Sequence, residues 1–75
     1  MKELIEYIAR SLVDDPTEVS VTLRETERES RIELSVAAED MGRVIGRQGR
    51  VANAMRTLMR VISSRQGVRS SLDIV

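Results

Sequence analysis

Between Met41 and Gln66 the chain writes a helical apolar pattern, breaks it at Gly46-Arg47-Gln48-Gly49, and resumes it. Glycine inside a helix costs about 1 kcal/mol relative to alanine, and two such residues three positions apart defeat a short helix. Both also permit positive φ. The break therefore predicts a turn between two helices, a short one over Met41 to Ile45 and a longer one after it. A helix pair with an apolar side must lie on something, and the rest of the chain has to supply it.

The flanking segments do. Leu4, Ile5, Ile8, Ala9, Leu12 and Val13 form one stripe of a helix from Lys2 to Val13, and Asp14-Asp15-Pro16 stops it, because proline disfavours helical geometry in the residue before it. Val19 to Arg24 and Arg31 to Val36 alternate apolar and polar residues and predict two half-buried strands. The residues between them, Glu25 to Ser30, are polar and lack glycine, which predicts a flexible hairpin loop rather than a tight two-residue turn. After the Gly break, Val51, Ala52, Met55, Leu58, Met59 and Ile62 form the inner stripe of the long helix. Gly67 follows as its C-terminal cap, and Leu72 and Ile74 alternate in a short last strand. The order is α-β-β-α-α-β. The hairpin strands should pair antiparallel, and the helical crossover favours a parallel pairing for the last strand. The fold class is α+β, a three-stranded mixed sheet packed against three helices. Residues 1–75 form one domain, with a core motif at about 30–75 and an N-terminal helix-strand extension at 1–25.

Composition narrows the chemistry. The chain has no cysteine and no histidine, which removes disulfides, thiolate metal sites and the usual acid–base residue. No enzyme activity, metal or cofactor is expected. No apolar run reaches the ~18 residues of a membrane span, and the N-terminus carries acids where a signal peptide is apolar, so a cytoplasmic protein is expected. Net charge is zero but unevenly laid out. Residues 1–40 carry 5 basic and 11 acidic side chains, whereas residues 41–65 carry 6 arginines and no acid. Such asymmetry points to an anionic partner.

The basic stretch coincides with the Gly turn. Arg43, Arg47 and Arg50 place three guanidinium forks around Gly46-Arg47-Gln48-Gly49. The turn leads into a helix N-terminus, where unpaired amides and the positive end of the helix dipole favour an anion, phosphate above all. A nucleotide-hydrolysing phosphate loop is excluded, because Gly42 and Gly46 have the wrong spacing and no Lys-Ser/Thr follows. A dinucleotide fingerprint is excluded by Val44.

Val44-Ile45-Gly46-Arg47-Gln48-Gly49 between two helices, in an α-β-β-α-α-β chain, resembles the type II KH domain, whose GXXG loop clamps single-stranded RNA. Among such proteins it is most similar to the short bacterial single-KH proteins of the KhpA family. The similarity runs through LVDDP, ELSVAAEDMGRVIGRQGR and the total length. The resemblance implies a type II KH fold and non-catalytic binding of about four nucleotides of single-stranded RNA. Gly46, Arg47, Gln48 and Gly49 would hold the backbone. Val44 and Ile45 occupy the apolar pair of the motif, with at least one facing the core, and Arg43 and Arg50 add charge. The groove would lie between the two helices on one side and, on the other, the second strand with the loop at 25–30. The resemblance further implies an RNA chaperone or post-transcriptional regulator, linked to cell-length control and peptidoglycan homeostasis. A homodimer or a heterodimer with a KhpB-type KH protein is the expected assembly.

Two features oppose tight binding. The loop at 25–30 holds three Glu and one Arg, and the only aromatic residue is Tyr7. A protein-interaction module of the same fold with little RNA affinity is the alternative. For the remaining residues the plainer reading is preferred. Arg56, Arg60 and Arg65 are read as a solvated helix face, Met55 and Met59 as core, and Tyr7 as half-buried at the edge of its helix stripe. Asp14-Asp15 and Glu39-Asp40 are read as helix stop and helix start.

Overall fold

In the computed structural model, which describes residues 1–75, the N-terminal stripe forms helix α1 (Lys2–Leu12), burying Ile5 and Ala9. Val13, expected to be the last helical residue, is already extended, and Asp15 then accepts from the Thr17 amide to open a 3-10 turn over Pro16–Glu18. The sheet consists of β1 (Ser20–Glu25), β2 (Glu29–Ser35) and β3 (Arg69–Ile74), in the order β1-β2-β3. β1 pairs antiparallel with β2, and β2 pairs parallel with β3. The expected mixed sheet is therefore present, with β2 in the centre.

Register follows the alternation. Leu23 faces Ile32, Ile32 faces Leu72 and Val21 faces Leu34, so one row of the sheet is apolar across all three strands. That face is covered by Ile5 and Ala9 of α1, Val44 of α2 (Met41–Ile45), and Met55 and Met59 of α3 (Arg50–Gln66). Full burial of one large aliphatic side chain contributes about 1.5–3 kcal/mol, so this shared cluster is what holds three short helices to a small sheet.

Three expectations need correction. The hairpin is not a flexible loop. The Thr26 amide donates to the Glu29 carbonyl at 2.8 Å, and the Thr26 hydroxyl accepts from the Arg28 and Glu29 amides at 3.3 and 3.0 Å. A threonine side chain thus closes a tight turn without glycine, leaving Glu27 and Arg28 at the tip. The buried side of α3 is Ala52, Met55, Met59 and Ser63, while Leu58 is 46% exposed. Counting apolar residues alone missed Ser63, whose hydroxyl is satisfied by Ser70 Oγ at 3.0 Å. Tyr7 is 73% exposed and is not half-buried.

Candidate nucleic-acid interface

The two glycines of the turn have different reasons to be glycine. Gly46 ends α2 at φ 78°, ψ 171°, a region open essentially to glycine alone. A Cβ there would lie 2.5 Å from Val51 Cγ2 and 2.8 Å from the Val51 amide nitrogen. Gly46 is therefore what lets the start of α3 close on α2. Gly49 sits in the left-handed region at φ 76°, ψ 14°, with Asn53 Nδ2 at 3.7 Å as the nearest atom to such a Cβ. Its side-chain position is open. Between them Gln48 is also left-handed, at φ 58°, the one non-glycine residue with positive φ.

The apolar pair splits as the amphipathic turn requires. Val44 is wholly buried and anchors the turn to the core, whereas Ile45 stays partly exposed beside it. Arg47, Gln48 and Arg50 are all exposed, and no side chain caps the start of α3. Neither Arg47 nor Arg50 has a carboxylate within ion-pair distance.

Arg43 differs from both. Its guanidinium donates to Asp40 Oδ1 at 2.9 Å and reaches Asp14 Oδ2 at 3.1 Å. Asp40, only 1% exposed, also accepts from the Asp14 and Asp15 amides at 3.1 Å each. The Asp14 amide, with help from Asp15 and Arg43, holds the Asp40 carboxyl below its ordinary range despite the opposing effect of burial. Asp40 does stand at the start of α2, as expected, but its side chain makes no capping bond and instead ties the exit of α1 to α2. Arg43 is engaged in that tie, whereas Arg47 and Arg50 have no such partner.

A cleft lies between α3 and β3, lined by Arg56, Met59 and Arg60 and by Ser70 to Asp73. β2 is paired on both sides and offers no free edge, so the free edge beside α3 belongs to β3. The acidic hairpin is not next to the Gly turn either. The Arg69 amide bonds the Arg28 carbonyl, which places Glu27 and Arg28 by the C-terminal end of α3. A helix of 17 residues is about 25 Å long, so the charge opposing phosphate is far from the loop that would hold it.

Arg56 leaves the solvated face assigned to it. Its Nε and Nη2 donate to the Leu72 carbonyl at 3.3 and 3.0 Å, and its Nη1 to Asn53 Oδ1 at 3.1 Å. Position 56 borders the buried stripe of Ala52 and Met59, a helical spacing that could have marked it in the sequence. Asp40 carried only the three-residue spacing to Arg43 as a signal, because its two amide partners lie 25 and 26 positions away.

The order α-β-β-α-α-β, the mixed sheet and the Gly-x-x-Gly turn between paired helices together define a type II KH domain. A family model described as "KhpA/KhpB, KH domain" matches residues 2–74. The chain is 47% identical over 75 residues to the RNA-binding protein KhpA of Clostridium acetobutylicum, with all of both chains covered. Identity is also 47% to the RNA-binding proteins KhpA of Listeria monocytogenes, covering 100% of this chain and 99% of that one, and of Treponema pallidum, covering 99% and 92%. No solved structure matches. The chain belongs to the KhpA/KhpB family of KH domains, which are not enzymes. No helix is long and apolar enough to cross a membrane.

Proposed function

We propose that this chain binds single-stranded RNA without catalysis, its phosphate backbone resting on the Gly46–Gly49 turn. The observation that carries this reading is the pair of unpaired, exposed guanidinium groups, Arg47 and Arg50, flanking a glycine turn that opens onto the uncapped start of α3. The names of the relatives support it. Gly49 leaves room for a phosphate to approach the backbone, and Arg47 and Gln48 point outward to meet it. Val44 and Gly46 hold the turn in place from behind, and Ile45 stays partly exposed beside it. Arg43 positions α2 instead of contacting phosphate. The cellular role that fits is an RNA chaperone or post-transcriptional regulator in the cytoplasm.

Replacing Arg47 and Gln48 together with Asp keeps both glycines and reverses the local charge. Stability should move by less than ~0.5 kcal/mol, because both side chains are exposed. RNA affinity should fall at least about tenfold, a loss of ~1.4 kcal/mol. With two free arginines, the log–log salt slope of the parent should be about −1.4 for a single strand, and shallower in the variant. Unchanged affinity in the folded variant would return the chain to the class of protein-interaction modules.

A single site of this kind is weak, and a second linked site adds about 10²–10⁴ in avidity. Leu58 and Val61, 46% and 51% exposed on the outer side of α3, supply an apolar strip for such pairing. A homodimer, or a heterodimer with a KhpB-type KH protein, follows. Sedimentation should show dimers, and Leu58→Glu with Val61→Glu should yield monomers; a parent that stays monomeric with and without that partner overturns the assembly.

A further inference from the structure

The edge of β3 that faces α3 is chemically unusual. The Arg69 and Val75 amides turn toward β2, where they bond the Arg28 and Leu34 carbonyls. By strand alternation, the backbone groups of Leu72 point the other way, into the cleft against α3. A bare strand edge would present a carbonyl acceptor and an amide donor there, which is the pattern that the N6 amino group and a neighbouring ring nitrogen of adenine satisfy. In this chain the acceptor is taken. Arg56 places two of its N–H groups on the Leu72 carbonyl.

The cleft has a volume of about 290 Å³ and is lined by Arg56, Arg60 and Met59 of α3 and by Ser70 to Asp73 of β3. With the Leu72 carbonyl occupied, two guanidinium groups supply donors. Asp73 is the one carboxylate at its rim. A base that offers two adjacent acceptors to an arginine fork, and N–H donors to a carboxylate, fits this set. Guanine does, through O6 and N7 on one edge and N1–H and N2–H on the other.

We infer that Arg56 is a specificity-determining residue of the RNA site, turning the α3–β3 cleft against adenine and toward 6-keto purines. This rests on the RNA-binding reading above. The fork is held by Asn53 through Nη1 and by Leu72 through Nε and Nη2, which leaves the second N–H of Nη1 and of Nη2 to meet O6 and N7 of an incoming base while the Leu72 carbonyl stays covered.

The test exchanges one functional group of the base. Affinities are measured for a fluorescent single-stranded adenosine octamer and for the same octamer with its four central adenosines replaced by inosine. Inosine puts an acceptor at O6, beside N7, where adenosine has a donor. The parent should prefer the inosine octamer by at least about fivefold, the low end of one two-point base contact. Arg56→Ala should lose the preference and gain affinity for adenosine as the Leu72 carbonyl is uncovered. Arg56→Lys keeps the charge without the fork, and should bind with a similar salt dependence while discriminating poorly. The ratio of the two affinities does not depend on how much of a variant is folded. Equal binding of both octamers by the parent, or full discrimination by Arg56→Lys, overturns the inference and leaves the RNA reading intact. If the parent binds neither octamer, the RNA reading falls and the inference falls with it.

Discussion

Helix α3 begins and ends on the same backbone device, and the two ends are put to different uses. Gly49 precedes it at φ 76°, ψ 14°, and Gly67 follows it at φ 72°, ψ 24°. At Gly67 the local groups are paired: its amide bonds the Ser64 carbonyl at 3.3 Å, and the Val68 amide bonds the Ser63 carbonyl at 3.0 Å. That is a closed stop, in which glycine removes a steric penalty and nothing more. At Gly49 the glycine amide is paired to Gly46 at 3.1 Å, but no side chain caps the helix and two unpaired arginines stand beside it. Left-handed glycine is thus a backbone solution, and its neighbours decide whether it ends a helix or opens a site.

Substituting the glycines separates these uses, and Gly46 should show the largest effect. Gly46→Ala forces a Cβ onto the Val51 backbone at a φ/ψ reserved for glycine. Overpacking and backbone strain together should cost about 3 kcal/mol or more, enough to lower the melting temperature by over ~10 °C. Gly49→Ala and Gly67→Ala should each cost only ~1 kcal/mol, because both keep open space around the new methyl and pay for left-handed φ alone. The pair sharpens the comparison: thermal melts should barely distinguish them, while an RNA-binding assay should. Gly67→Ala should leave affinity per folded molecule unchanged, and Gly49→Ala should reduce it. Equal RNA affinities would mean that Gly49 is a second stop signal and not part of a binding surface.

The elements of the fold were legible because each rests on a local pattern. Alternation set the strands, and the inward rows meet as expected at Leu23, Ile32 and Leu72. Gly67 was readable because a C-terminal cap is a neighbour effect. The Gly turn was readable for the same reason, but what surrounds it was not. Arg43 looked as available as Arg47 and Arg50 in the sequence, but it is bound by Asp40 three positions before it and by Asp14, which the return of the chain brings up to it. The hairpin failed differently: Thr26 closes it with its side chain, a solution that a search for glycine does not find. The placement of the acidic hairpin at the far end of α3 depends on strand order, which fixes β3 and not β2 as the edge. The Gly turn is marked by neighbouring residues, whereas the lining of the α3–β3 cleft comes together only through that strand order.

The smallest expected effect at neutral pH concerns how the approach to each end of α3 is anchored. The Gly67 end is held by backbone hydrogen bonds, which do not titrate. The segment leading to Gly49 is held through α2 by Asp40, whose carboxylate bonds the Asp14 and Asp15 amides and Arg43. Its folded pKa lies below the ordinary value of 3.8, chiefly through the Asp14 amide. The unfolded chain therefore takes up this proton first as pH falls. The stability due to Asp40 is fully present above about that value and is lost as pH drops through the lowered folded pKa. With no histidine in the chain, this tie contributes no pH dependence between about pH 5 and 8. Amide exchange followed by NMR in acid should show the Asp14 and Asp15 amides losing protection before those of Gly67 and Val68. In Asp40→Asn the group that titrates is gone, so the Asp14 and Asp15 amides should exchange faster already at neutral pH and show no further acid step. Simultaneous loss of protection at both ends of α3 in the parent would mean that the two anchors open as one unit, and that Asp40 does not separately hold the α2 side.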